Sequence, residues 1–216
     1  MPEFEDLFVN YIATLWGFIS FNNESFDVDL QQELSKISSG SFIAEIIDRL
    51  KLKIQCQQNA NQTIECERMK NQKFYGYSGH DITEISLLLG LGYETFIFEK
   101  HSMPSVSSSI VLELWESEEA ENAVITEKNQ FEYYYVKIYY YQNSTVESPK
   151  NIGNLLPKCQ GKGCPISYLI KRAELLCPKP DLKSYCNQAM TSDTFKLNNS
   201  LTTLLFISFS LFYLFK

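Results

Sequence analysis

Basic charge is scarce in this 216-residue sequence, where 19 lysines and arginines stand against 26 acidic residues and the formal net charge is -7 at pH 7. No lysine- or arginine-rich run marks an electrostatic footprint, so nucleic acid is set aside as a partner. Histidine is rarer still, with only His80 and His101, and arginine is confined to Arg49, Arg68 and Arg172. Neither histidine stands at zinc-finger or zinc-ribbon spacing from the cysteines, so no metal or other cofactor is expected. A basic n-region is missing as well: Glu3, Glu5 and Asp6 precede the apolar stretch Leu7 to Phe21, which argues against a secretory signal peptide. Internal repeats and a clean domain linker are absent before the tail, and one domain is the expected count.

What is present is core-forming material. A hydrophobic fraction of 44% and an aromatic fraction of 14% argue for a packed globular domain and against disorder. The six cysteines (Cys56, Cys66, Cys159, Cys164, Cys177 and Cys186) form an even set, and disulfides are the better reading of them. Sequons at Asn23, Asn61, Asn143 and Asn198 point the same way, toward an oxidising compartment of the secretory pathway. Extracellular chemistry without an entry signal leads to the expectation that the true beginning of the protein is missing.

The tail reads differently. A polar spacer, residues 191–200, leads into the nearly continuous apolar run Leu201 to Phe215. As a helix the run spans roughly 22 Å, short of the ~30 Å hydrocarbon core. A short single span and a GPI-attachment signal, with Asn187 to Ala189 as the attachment region, are both open readings, and each anchors the chain to a membrane at the cell surface or in a lysosome-like compartment. A buried terminal helix is the weaker reading, because the run has no polar face.

Along the body of the chain, Ile43, Ile46, Ile47 and Leu50 follow the spacing of an amphipathic helix over Phe42 to Leu52. Cys56 to Lys73 reads as a polar surface excursion that a Cys56–Cys66 bridge could staple. Phe74 to Ser78 is strand-like, and a turn at Gly79 leads through His80 and Asp81 into a helix carrying Ile85, Leu88 and Leu89, closed by Gly90 and Gly92. Ser109 to Trp115 and Phe131 to Tyr141 read as strands, the second apolar on both faces, joined by the acidic connection Glu116 to Glu127. Pro165 opens a helix with Ile166, Leu169, Ile170 and Ala173 on one face, and Pro178 stops it.

Chemistry concentrates where the strand ends and the helix begins. Backbone N–H groups at such a junction favour an anion, and switch points of this kind bind ligands in α/β sheets. The bland alternative is that Asp81, with Glu84 three residues on, forms a capping box and has no catalytic duty; from spacing alone this is the favoured reading. His101 stands in a polar, serine-rich context and reads as a surface residue.

The run YGYSGHDITEISLLLGLG, residues 75–92, resembles the second signature of the histidine acid phosphatases. The upstream run SSGSFIAEIIDRLKLK and the downstream runs IVLELWE, YYYVKIYYYQN and CQGKGCPISYLIKRAELLCP are similar to that family in order and spacing, from about Asp6 to Cys186. The resemblance implies an α/β fold, a mixed sheet flanked by helices, over residues 1–190, lacking the amino-terminal part of its core. It implies a phosphomonoester substrate hydrolysed at acid pH. His80 would contact the phosphoryl group and Asp81 would act as general acid toward the leaving oxygen. It also pairs Cys159 with Cys164, and matches Cys177 or Cys186 to a cysteine whose partner lies in the missing half.

The family's nucleophile is a histidine in an R-H-G-x-R-x-P motif, and the sequence contains no such motif. The expectation is a protein truncated at its amino end, inactive as it stands and poorly covered over Phe74 to Tyr77 and Phe131 to Tyr141. A membrane-anchored, non-catalytic surface or binding module is the alternative, and a separate polypeptide that rebuilds the site is a weaker third.

Overall fold

The computed structural model describes residues 2–18, 29–58, 63–98 and 102–187. In chain order its elements are α1 (Pro2–Leu15), α2 (Leu30–Ser35), α3 (Ser41–Gln58), α4 (Ile64–Asn71), α5 (Asp81–Leu91), β1 (Ser109–Glu116), β2 (Tyr134–Tyr141), β3 (Lys150–Asn151), β4 (Cys164–Pro165), α6 (Ile166–Leu176) and α7 (Leu182–Cys186). A π-helical turn, Lys36–Gly40, joins α2 to α3. His101, the sequons at Asn23, Asn61 and Asn198, and the spacer and apolar tail lie outside the described residues. Among the described residues, no helix is long and apolar enough to cross a membrane.

The helical expectation over Phe42 to Leu52 is met by α3, which runs on to Gln58 and buries Ile43, Ile47, Ile54 and Cys56. Its extension carries Cys56 into the core, where a disulfide to Cys66 ties α3 to α4. The expected polar excursion is thus partly helical. Thr63 caps α4 by accepting from the Cys66 N–H at 3.2 Å. At the other end of α4, Lys53 Nζ donates to the carbonyls of Met69, Lys70 and Gln72 at 2.7, 2.9 and 3.0 Å.

Helix α5 has no polar side after its first turn: every residue from Ile85 to Leu91 is buried. It packs against α3, α6 and the Lys36–Gly40 turn. Gly90 permits the approach of α3, since a Cβ there would stand 2.7 Å from both Ile43 and the Ser39 hydroxyl. Gly92 ends the helix in the left-handed region at φ 101°, and its N–H returns to the Leu88 and Leu89 carbonyls. The last carbonyls of the helix also find partners on α6. Arg172 Nε donates to Gly90 O at 2.9 Å, Arg172 Nη2 to Leu89 O at 3.1 Å, and Tyr168 Oη to Leu91 O at 2.9 Å.

On the sheet, β1 and β2 pair antiparallel along their full length, from Ser109 opposite Tyr141 to Glu116 opposite Tyr134. The two-residue strands β3 and β4 both pair antiparallel with β2, at Tyr139–Tyr140 and Tyr135–Val136 respectively. The α/β class with helices flanking a sheet holds, and every described ladder is antiparallel. Strand β2 begins at Tyr134 and not Phe131, and alternates: Tyr134, Val136, Ile138 and Tyr140 are buried, while the other face is partly open. On that outer face Lys137 Nζ lies 3.9 Å from the centre of the Trp115 ring. The Cys159–Cys164 disulfide implied by the family resemblance is present, closing the loop into β4. Cys177 and Cys186 form no disulfide with each other.

Phe74 to Ser78 departs from expectation. It is extended but belongs to no strand, because a strand needs a neighbour to exchange hydrogen bonds with and none of the described residues provides one. Its aromatic side chains are correspondingly open, with Phe74 84% exposed.

Replacing Arg172 by Ala strips two donors from partly buried end carbonyls of α5, and is expected to lower folding stability by about 1–3 kcal/mol in urea unfolding. Arg172→Lys retains the charge but not the two-pronged donor and is expected to recover at most half of the loss. Equal stability of Arg172→Ala and the parent chain would show that solvent satisfies these carbonyls.

Candidate active site

The site is built from the turn that feeds α5. Gln72 to Gly79 crosses α3 in extended form, with the Tyr75 and Tyr77 rings in an edge-to-face contact, 5.0 Å between centres. Tyr77 meets Phe42 edge-on at 5.0 Å and donates its hydroxyl to Glu45 Oε1 at 3.2 Å. The Arg49 guanidinium lies 3.6 Å from the centre of the Tyr75 ring, and its Nη2 stands 3.6 Å from the same Glu45 oxygen. These contacts fix the direction in which the chain enters the helix.

His80 is the N-cap, in extended conformation, and Asp81 is the first helical residue. The reading of Asp81 as cap is therefore corrected by one position. The capping partner is also different: Thr83 Oγ1, not Glu84, accepts from the His80 N–H at 3.2 Å. Threonine at this position reaches back over Gly79, whose missing Cβ would stand 3.0 Å from Thr83 Cβ. The sequence signal was available in the identity of residue 83, but an acid three residues after Asp81 masked it.

His80 and Asp81 are both exposed. Asp81 Oδ1 accepts from the Ile82 N–H at 2.7 Å, which folds the carboxylate over the first turn. Exposure leaves both side chains free to meet a ligand, and the helix N-terminus behind them favours negative charge.

Glu84 has a role the sequence did not reveal. It is partly buried, and its Oε2 accepts from the Ser108 hydroxyl at 2.7 Å, tying the segment before β1 to the first turn of α5. Burial pushes its carboxyl above the usual range, the Ser108 hydroxyl works in the opposite direction, and the charge of Asp81 adds to the rise. Two carboxylates thus share one helical turn, one exposed and one partly sheltered.

A cleft of about 320 Å³ opens beside this turn, lined by Trp16, Ser38, Phe42, Ile82, Thr83 and Ser86. Trp16 Nε1 donates to Ser86 Oγ at 2.8 Å, which holds the indole as one wall. No group of three or more His, Cys, Asp or Glu side chains suited to a metal occurs among the described residues. Asn143, the one sequon asparagine described, lies in the turn between β2 and β3 and accepts from the Thr145 N–H and hydroxyl at 3.0 and 2.7 Å.

The site and its surroundings coincide with a family match. Residues 2–141 match the sequence profile of the histidine phosphatase superfamily (branch 2). The chain belongs to that superfamily. Curated relatives from Caenorhabditis elegans include "Putative acid phosphatase 10", 29% identical over 162 residues, which are 74% of this chain and 36% of the relative. "Putative acid phosphatase 11" is 29% identical over 182 residues, 81% of this chain and 40% of the relative. A further worm protein named as a putative acid phosphatase is 27% identical over 183 residues, 84% of this chain and 39% of that protein. The chain therefore spans about two fifths of the length of the curated relatives it matches.

Because the folded-state value of Glu84 is raised, its ionised form opposes folding above the ordinary carboxylate range, and that opposition fades as pH falls through the raised value toward 4.5. Glu84→Gln, which keeps an oxygen for Ser108, is expected to match or exceed the parent in stability at pH 7, and the difference should shrink by pH 4. Thermal unfolding at both pH values checks this. A deficit of the variant that is larger at pH 7 than at pH 4 would reverse the assigned sign.

Proposed function

We propose that this chain carries the acid side of an acid phosphatase active site and acts on phosphomonoesters when the nucleophile side is also present. The observation that carries the reading is the paired exposure of His80 and Asp81 on the open first turn of α5, inside the segment that matches the superfamily. In this scheme His80 contacts the phosphoryl group. Asp81 gives its proton to the alcohol oxygen as the P–O bond breaks, and the same carboxylate then takes a proton from the attacking water.

The nucleophile is proposed to come from an R-H-G-x-R-x-P segment, which this sequence does not contain. A carboxylic acid without a nucleophile gives no covalent intermediate, so the chain alone is proposed to be inactive. Two disulfides support an oxidising, secretory setting for the protein.

The purified chain is expected to release no 4-nitrophenol from 4-nitrophenyl phosphate at pH 5 beyond that of its His80→Ala, Asp81→Asn double variant. Turnover above that level would place a nucleophile within these 216 residues. In an extended form that includes the nucleophile segment, Asp81→Asn is expected to lower kcat for an alkyl phosphate by about 10²–10⁴-fold and for 4-nitrophenyl phosphate far less. Equal losses on both substrates would remove Asp81 from the acid role.

A further inference from the structure

We infer that the cleft beside Asp81 receives the alcohol portion of the substrate, and that this portion is planar, apolar and free of further phosphates. The inference rests on the reading of His80 and Asp81 as the phosphate-handling corner. Ile82 and Thr83, the two residues that follow Asp81, are themselves part of the cleft wall, so a phosphoryl group at the helix start has its ester substituent adjacent to the opening. The cleft, about 320 Å³ and open to solvent on one side, has room for a single ring.

Chemistry of the lining selects among phosphomonoesters. Trp16, Phe42 and Ile82 supply apolar surface, Ser38, Thr83 and Ser86 supply hydroxyls, and none of the six carries a charge. The indole is fixed by its bond to Ser86, and Phe42 is held edge-on by Tyr77, so both rings are set in place before a ligand arrives. A second phosphate in such a cleft would be desolvated without a cation. Among the described residues, Lys36 is engaged with Glu33 at 2.6 Å, and Arg49 with Glu45 and the Tyr75 ring.

The test uses the chain as it is, with three non-hydrolysable probes in calorimetry at pH 5: benzylphosphonate, methylphosphonate and propane-1,3-bisphosphonate. Benzylphosphonate is expected to bind at least tenfold more tightly than either of the others. Two variants examine the cleft without threatening the fold. Ser38 is exposed, so Ser38→Phe fills the opening from outside. Ile82 is 41% exposed and lies in the first turn of α5, where an acid is favoured, so Ile82→Glu sets a charge at the rim.

Both variants are expected to lose the tenfold preference while circular dichroism and melting stay as in the parent. Equal affinity for benzyl- and methylphosphonate, no measurable binding of benzylphosphonate, or a preference untouched by both substitutions would each overturn the inference. The two readings separate with benzyl alcohol, followed by the Trp16 indole N–H resonance. If benzyl alcohol shifts that resonance and the phosphonate adds no affinity, the phosphate corner fails and the ring site stands. If phosphonates bind irrespective of the ring, the corner stands and the ring site fails.

Discussion

Burial of α5 on every side governs the arrangement of the molecule. A helix whose residues from Ile85 to Leu91 are all buried can neither slide nor rotate without exposing apolar surface to water. Helices α3 and α6 enclose it, and the clamp from Arg172 and Tyr168 holds the carbonyl end. Gly90 lets α3 come close, and Gly92 turns the chain out of the helix at the far end. With one end and all sides fixed, the other end has one place to emerge. His80 and Asp81 occupy that place, and their exposure follows from the constraint on the rest of the helix.

The first turn combines two opposing electrostatic influences. The helix N-terminus draws anions, whereas Asp81 and Glu84 repel them. Under the proposed function the neutral form of Glu84 lessens the repulsion toward a phosphate. Glu84 is the group whose surroundings already favour its neutral form, through burial and the charge of Asp81. Its bond to Ser108 also links the turn to the segment entering β1, so the sheet side and the helix side of the site share one contact.

The aromatic residues divide into two roles. On β2 they fill the core through Tyr134 and Tyr140. On the extended segment before α5 they form a surface cluster, with Tyr75 against Arg49 and Tyr77 against Phe42 and Glu45. This second group steers the backbone into His80, and Phe42 also serves as a wall of the cleft. Superfamily membership covers both groups, since residues 2–141 include the whole of this arrangement.

Periodicity alone determined much of the secondary structure. The apolar run after Asp81, the alternation in Ser109 to Trp115 and the proline-bounded segment after Pro165 each gave an element with nearly the observed limits, while the stripe Ile43, Ile46, Ile47 and Leu50 gave a helix ending at Leu52 where α3 runs on to Gln58, because burial imposes its pattern locally. The His80–Asp81 junction was legible for the same reason, as a change of period at a glycine. Tertiary structure decided what depends on distant neighbours. Phe74 to Ser78 has strand composition, yet strand pairing is a property of two segments and cannot be read from one. The capping geometry went to His80 and Thr83 because the backbone entered the helix one residue earlier than an Asp–Glu pattern suggested. The sheltered state of Glu84, the clamp of Arg172 on α5 and the wall that Trp16 presents to the cleft join residues 24, 82 and 70 positions apart from their partners. Contacts across such separations leave no local pattern, and only the packed chain brings them together.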